Sequence, residues 1–140
     1  MTVKRLVERS GISEIKYYGL FYEACLKLGQ EKGPTAVINQ AIAEYGEYGG
    51  CQTLETAASV VARIGIGVFA GGYEVLESIA AIRGMEAQYF VSVLPHLKDV
   101  NLADIERVVV TFLSHDDMDV GHAAVDALAE VRRMRGTKQS

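Results

Sequence analysis

Apolar residues recur every three to four positions along almost the whole chain, and no stretch alternates strictly between apolar and polar over the length of a strand. That period places a row of side chains on one side of a helix, so the pattern predicts an all-α protein. A first stripe runs through Ile12, Ile15, Tyr18, Gly19, Tyr22, Cys25 and Leu26 and stops at "LGQEKGP". There Gly33 suits a helix end and Pro34 a fresh start. A second stripe, Val37, Ile38, Ala41, Ile42 and Tyr45, breaks at "YGEYGG". Leu54, Ala57, Ala58, Val61, Ile64 and Val68 form a third, and Val75, Leu76, Ile79 and Ile82 a fourth. Turns near Gly84 and at "LKDVNLAD" frame a fifth, Ala87, Phe90, Val91, Leu94 and Leu97.

The last two stripes are the clearest. Leu102, Ile105, Val108, Val109, Phe112 and Leu113 share one helix face, as do Val120, Ala123, Ala124, Ala127, Leu128 and Val131. Between them lies "SHDDMDVGH", Ser114 to His122. An aspartate at a helix start accepts hydrogen bonds from the free backbone amides and complements the positive end of the dipole. Asp116, Asp117 or Asp119 can play that part, so the cluster reads as a turn and a cap.

The segment "LADIERVVVTFLSHDDMDVGHAAVDALAEV", Leu102 to Val131, resembles a HEAT repeat: an apolar helix, a short aspartate-containing turn, and a second helix opening with Val and carrying Ala-Ala and then Ala-Leu. Gly121 stands where that pattern usually has Arg. "TAASVVARIG" at Thr56–Gly65 can be laid over "HAAVDALAEV" at His122–Val131, an offset of 66 residues, or two units of 33. "MEAQYFVSVL" between them does not align. The resemblance implies stacked antiparallel helix hairpins forming a short right-handed superhelix, HEAT/ARM-like. It divides a single domain, 1–140, into an N-terminal helical cap (1–33), hairpins (34–135) and a tail (136–140).

Composition narrows the function classes. At 140 residues the chain is long enough for one core without disulfides or metal. The formal charge of -4 disfavours a nucleic-acid binder, because phosphate contacts need a concentrated basic surface and only Arg132–Lys138 gathers positive charge. Cys25 and Cys51 have no partner at metal-ligand spacing and read as reduced, buried thiols. No signal-peptide pattern is seen at the N-terminus, and the apolar run 57–72 is too short for a bilayer and contains Arg63. A cytoplasmic location is expected, without membrane partners.

No constellation carries chemistry by spacing. Ser114, His115 and Asp116 are adjacent and cannot converge as a triad must. The aspartate cluster fails the calcium-loop spacing, so no metal and no cofactor is expected. "RIGIGVFAGG", Arg63–Gly72, closes a helical stripe and lacks the lysine of a phosphate loop. A small ligand-binding or enzymatic domain using this segment is the alternative class. The leading expectation is a protein-binding module without enzymatic activity, either a scaffold or an inhibitor. Its size, acidity and helical character resemble bacterial immunity proteins, which implies a toxin domain, such as a basic nuclease, as partner. Tyrosine offers contact area at little entropic cost, and carboxylates pair with Lys or Arg. The expected contacts are Tyr17, Glu44, Tyr45, Glu47, Tyr48, Asp116, Asp117 and Asp119, on a monomer or weak homo-oligomer.

Overall fold

The computed structural model describes the backbone of residues 14–48, 51–66 and 72–139, and side chains over 18–46, 52–63 and 72–136. Among the described residues there are helices and turns and no strand. The helices are α1 (Glu14–Lys32), α2 (Pro34–Tyr48), α3 (Cys51–Ile66), α4 (Gly72–Ala80), α5 (Ala87–Val91), α6 (Leu102–Phe112) and α7 (Met118–Gln139). A 3-10 turn, Leu94–His96, follows α5. None of the described helices is long and apolar enough to cross a membrane.

Local chemistry sets the boundaries. α1 ends at Gly33, whose φ of 89° lies in the left-handed region that glycine enters without a Cβ penalty, and its N–H donates to Gly29 O at 2.9 Å. Pro34 then opens α2. α6 is capped by Asn101, whose side-chain oxygen accepts from Ala103 N at 2.9 Å. Two helices run further than expected. α2 continues through Gly46 to Tyr48, and α7 runs through the expected tail to Gln139. A single glycine costs a helix about 1 kcal/mol, which neighbouring packing and basic residues near the C-terminus can offset.

Packing follows a regular order. α1, α2 and α3 lie against one another, and α4 joins α2 and α3. α5 lies against α3, α4 and α7, while α6 lies against α4 and α7. One core results. It runs from Phe21 and Cys25 through Val37, Ile38, Leu54, Val60 and Val61 to Phe90, Ile105, Val109 and Val131. Fully burying such side chains contributes about 1.5–3 kcal/mol each. Val75, Leu76, Ile79 and Ile82, and Ala87, Phe90, Val91, Leu94 and Leu97, are all buried as the stripes predict. Gly19 is instead exposed, Leu113 is 38% exposed, and Phe21, Val60 and Thr53 join the interior.

Polar ties link the layers at their edges. Arg63 Nη1 donates to Tyr22 Oη at 2.9 Å between α3 and α1. Tyr73 Oη donates to Asp104 Oδ2 at 2.8 Å and accepts from Asn101 N, joining α4 to the start of α6. Arg135 Nη1 donates to Glu106 Oε2 at 3.0 Å between α7 and α6. The loop before α6 presses on α4. Asp99 turns it with a φ of 60°, and a Cβ at Gly72 would collide with Lys98 O and lie 2.6 Å from Val100 Cγ2.

Candidate functional site

The aspartate-histidine stretch folds as a turn whose groups are committed to backbone. Asp117 Oδ1 accepts from Asp119 N at 2.9 Å and from Val120 N at 3.3 Å, the geometry of an N-cap, so Asp117 starts α7. His115 Nε2 donates to Arg83 O at 2.9 Å, and its Nδ1 accepts from Asp117 N at 3.0 Å. That pair of partners selects the neutral tautomer with hydrogen on Nε2. His115 thereby ties the α6–α7 turn to the loop after α4. Asp116 and Asp119 remain exposed, while Asp117 is half-buried. Among the described residues no group of three His, Cys, Asp or Glu side chains could hold a metal ion.

The acidic-tyrosine group is divided by the fold. Glu44 was expected on a solvated surface, but it is only 5% exposed. It lies seven residues after Val37 and three after Ala41, so the helical period carries it onto the inner face of α2, near α1. There burial first, and the Glu44 charge second, push the Cys25 thiol up to about 11. Tyr45 is half-buried against the core. Glu44 is therefore buried rather than solvated, and Tyr45 keeps part of its surface exposed. The side chains of Tyr17, Glu47 and Tyr48, and the glycine-bearing stretch 67–71, lie outside the described residues.

A different acidic feature is present. A cleft of about 490 Å³, open to solvent, is lined by Ser92, Pro95 and His96 on one side and by Ala123, Asp126, Ala127 and Glu130 of α7 on the other. Pro95 lies in the first turn of the 3-10 segment, where it has no amide hydrogen to offer an α-helix, and the chain there turns away from α5. Ala123 and Ala127 are small, which leaves room between the elements. Asp126 and Glu130 are four residues apart on one flank of α7, so both carboxylates face this space.

The two carboxylates differ. Arg133 grips Glu130 in a bidentate fork, with Nε donating to Oε2 at 3.1 Å and Nη2 to Oε1. Those hydrogen bonds hold the Glu130 carboxyl below the usual carboxylate range; desolvation opposes them, and the charges of Arg133 and His96 add to them. Asp126 is exposed and has no salt-bridge partner among the described residues. Ser92 and His96 line the same cleft without hydrogen-bonding to each other, so the serine has no base in place. What the cleft offers is a negative charge at Asp126, the outer edge of Glu130, a hydroxyl, an imidazole and apolar walls. That set suits the cationic end and aliphatic stem of a Lys or Arg.

The apolar stripes name Ala123 and Ala127 of this cleft but none of its polar groups, although a signal for two of those existed. Asp126/Glu130 and Ala123/Ala127 are each four apart, which places each pair on one flank of α7, whereas Ser92 and His96 straddle the end of α5 and the 3-10 turn. No known protein family, curated protein or solved structure matches the chain.

Proposed function

We propose that the protein is a protein-binding module built from stacked helix hairpins, and that its cleft receives a basic segment of a partner protein. The order of packing supports the stack. α2 lies against α4 and α4 against α6 in one row; α1 lies against α3, α3 against α5 and α5 against α7 in the other. Next-but-one contacts of this kind are how hairpin repeats bury their faces, and they accord with kinship to HEAT-like repeats in a short right-handed superhelix. The recognition reading is carried by one observation: the cleft between the 3-10 turn and α7 presents Asp126 and Glu130 over walls of Pro95, Ala123 and Ala127. The partner class that fits this and the charge of -4 is a basic domain, and a toxin domain neutralised by an immunity protein is the narrower form of the proposal.

The test is affinity capture from the native source with the tagged protein, beside its Asp126→Asn/Glu130→Gln variant. The expected result is a stoichiometric basic partner whose activity is blocked, and whose affinity falls about 10- to 100-fold with the variant, the worth of one or two charged hydrogen bonds. Equal retention by both proteins removes the cleft from the interface. Capture of no partner, with a small molecule raising the melting temperature instead, moves the function to the ligand-binding class.

A further inference from the structure

The flank of α7 that faces away from the cleft is apolar and uncovered. Met118 is 71% exposed and Val125 is 56% exposed, while Val110 and Leu113 of the neighbouring α6 are 44% and 38% exposed. On α7 the positions Met118, Gly121, Val125, Ala129 and Arg132 fall within an arc of about 80°. That arc is centred about 150° from the cleft residues. α7 is packed against α6, α5 and the 3-10 turn.

We propose that a second copy of this chain docks on this flank, with the two α7 helices antiparallel about a two-fold axis at Val125. The stripe is complementary to its own reverse. With Val125 opposite itself, Met118 of one copy faces the stem of Arg132 in the other, and Gly121 faces Ala129. The small pair lets the helix backbones approach, and the long pair covers the ends. Charge points the same way. The start of α7 is acidic, with Asp116 exposed, while its end carries Arg132, Arg133 and Arg135 against the carboxylates of Glu106 and Glu130, three cations to two anions. Antiparallel docking sets each acidic start beside a basic end and also opposes the helix dipoles favourably. Parallel docking would stack like charge on like charge. Both clefts stay open on the outer sides of such a pair, so the inference stands whether or not they bind a partner protein.

The contact runs for roughly 21 Å of helix, which with Val110 and Leu113 makes an interface at or below roughly 800 Å² per copy and an association in the micromolar range. Sedimentation equilibrium between about 1 and 100 µM should show the mass rise from 15.2 kDa toward twice that value. Val125→Asp should hold the chain monomeric over the same range while its helical circular dichroism is unchanged. Cysteine pairs then read the register. Val125→Cys should give a covalent dimer on mild oxidation. Ala129→Cys should not, because a two-fold at Val125 keeps the 129 positions about 12 Å apart along the axis, beyond disulfide reach. A monomeric mass up to about 100 µM, a dimer untouched by Val125→Asp, or equal cross-linking at both positions would each overturn the proposal.

Discussion

α3 and α7 share the "AA" pattern that relates the two ends of the chain, yet they live in different surroundings. α3 lies against α1, α2, α4, α5 and the 3-10 turn, whereas α7 has α6, α5 and the 3-10 turn for company. Laid over each other at the 66-residue offset, Ala58 and Ala124 are both buried, as are Val61 and Ala127, while Arg63 and Ala129 are both exposed. The helices part at the next positions round. Val60 is fully buried where Asp126 stands in α7, and the exposed Ser59 corresponds to the exposed Val125. One helical pattern thus serves two ends: among its described side chains α3 exposes a single stripe, Gln52, Glu55, Ser59 and Arg63, and α7 at the edge keeps two flanks. One of those flanks is acidic and concave, and the other is apolar.

Exchanging residues between these settings gives the largest effect. Val60→Asp buries an unpaired charge and should cost at least about 4 kcal/mol, leaving little folded protein, while Asp126→Val should shift the urea midpoint by less than about 0.5 kcal/mol equivalent. Equal effects would mean that the two helices are equally enclosed. Next in size is Gly72→Ala, which forces a methyl against Lys98 O and Val100 where the loop before α6 crosses α4, and should cost about 1–3 kcal/mol in the same assay. Asp117→Ala removes the acceptor for Asp119 N and Val120 N and should cost about 1 kcal/mol, with amide exchange speeding up in the first turn of α7.

The remaining prediction concerns Cys25, whose effect is silent at neutral pH. Its thiol pKa of about 11 lies above the ordinary 9.0, so the native state favours the neutral thiol. This contribution is fully present below pH 9 and is lost as pH rises toward 11, where the unfolded chain ionises first. At pH 8, peptide mass spectrometry after alkylation should find Cys25 modified only as fast as the protein opens.

Much of this architecture was readable because helical period, glycine and proline act locally. Gly33–Pro34, the buried stripe of Ala87, Phe90, Val91, Leu94 and Leu97, and the buried row of α7 follow from spacing. Glu44 was misplaced for a physical reason: charge favours the surface, but its register after Val37 and Ala41 carried it inward. The refusal of "MEAQYFVSVL" to align has its cause in α5 stopping after five residues and a proline-bearing 3-10 turn following. The cleft was hidden for the same reason. Its two walls are some 30 residues apart in sequence, and only the break around Pro95 and the packing of α5 on α7 bring them together.

The most direct measurement is a calorimetric titration of the captured basic partner into the native protein and into Asp126→Val, which carries the residue α3 has at the corresponding place. A loss of affinity of at least about 10-fold at an unchanged unfolding midpoint is what the proposed role of the cleft predicts, since the Asp126 carboxylate is exposed and takes no part in the core. Equal affinities for the two proteins would contradict the assignment of the cleft as the recognition site.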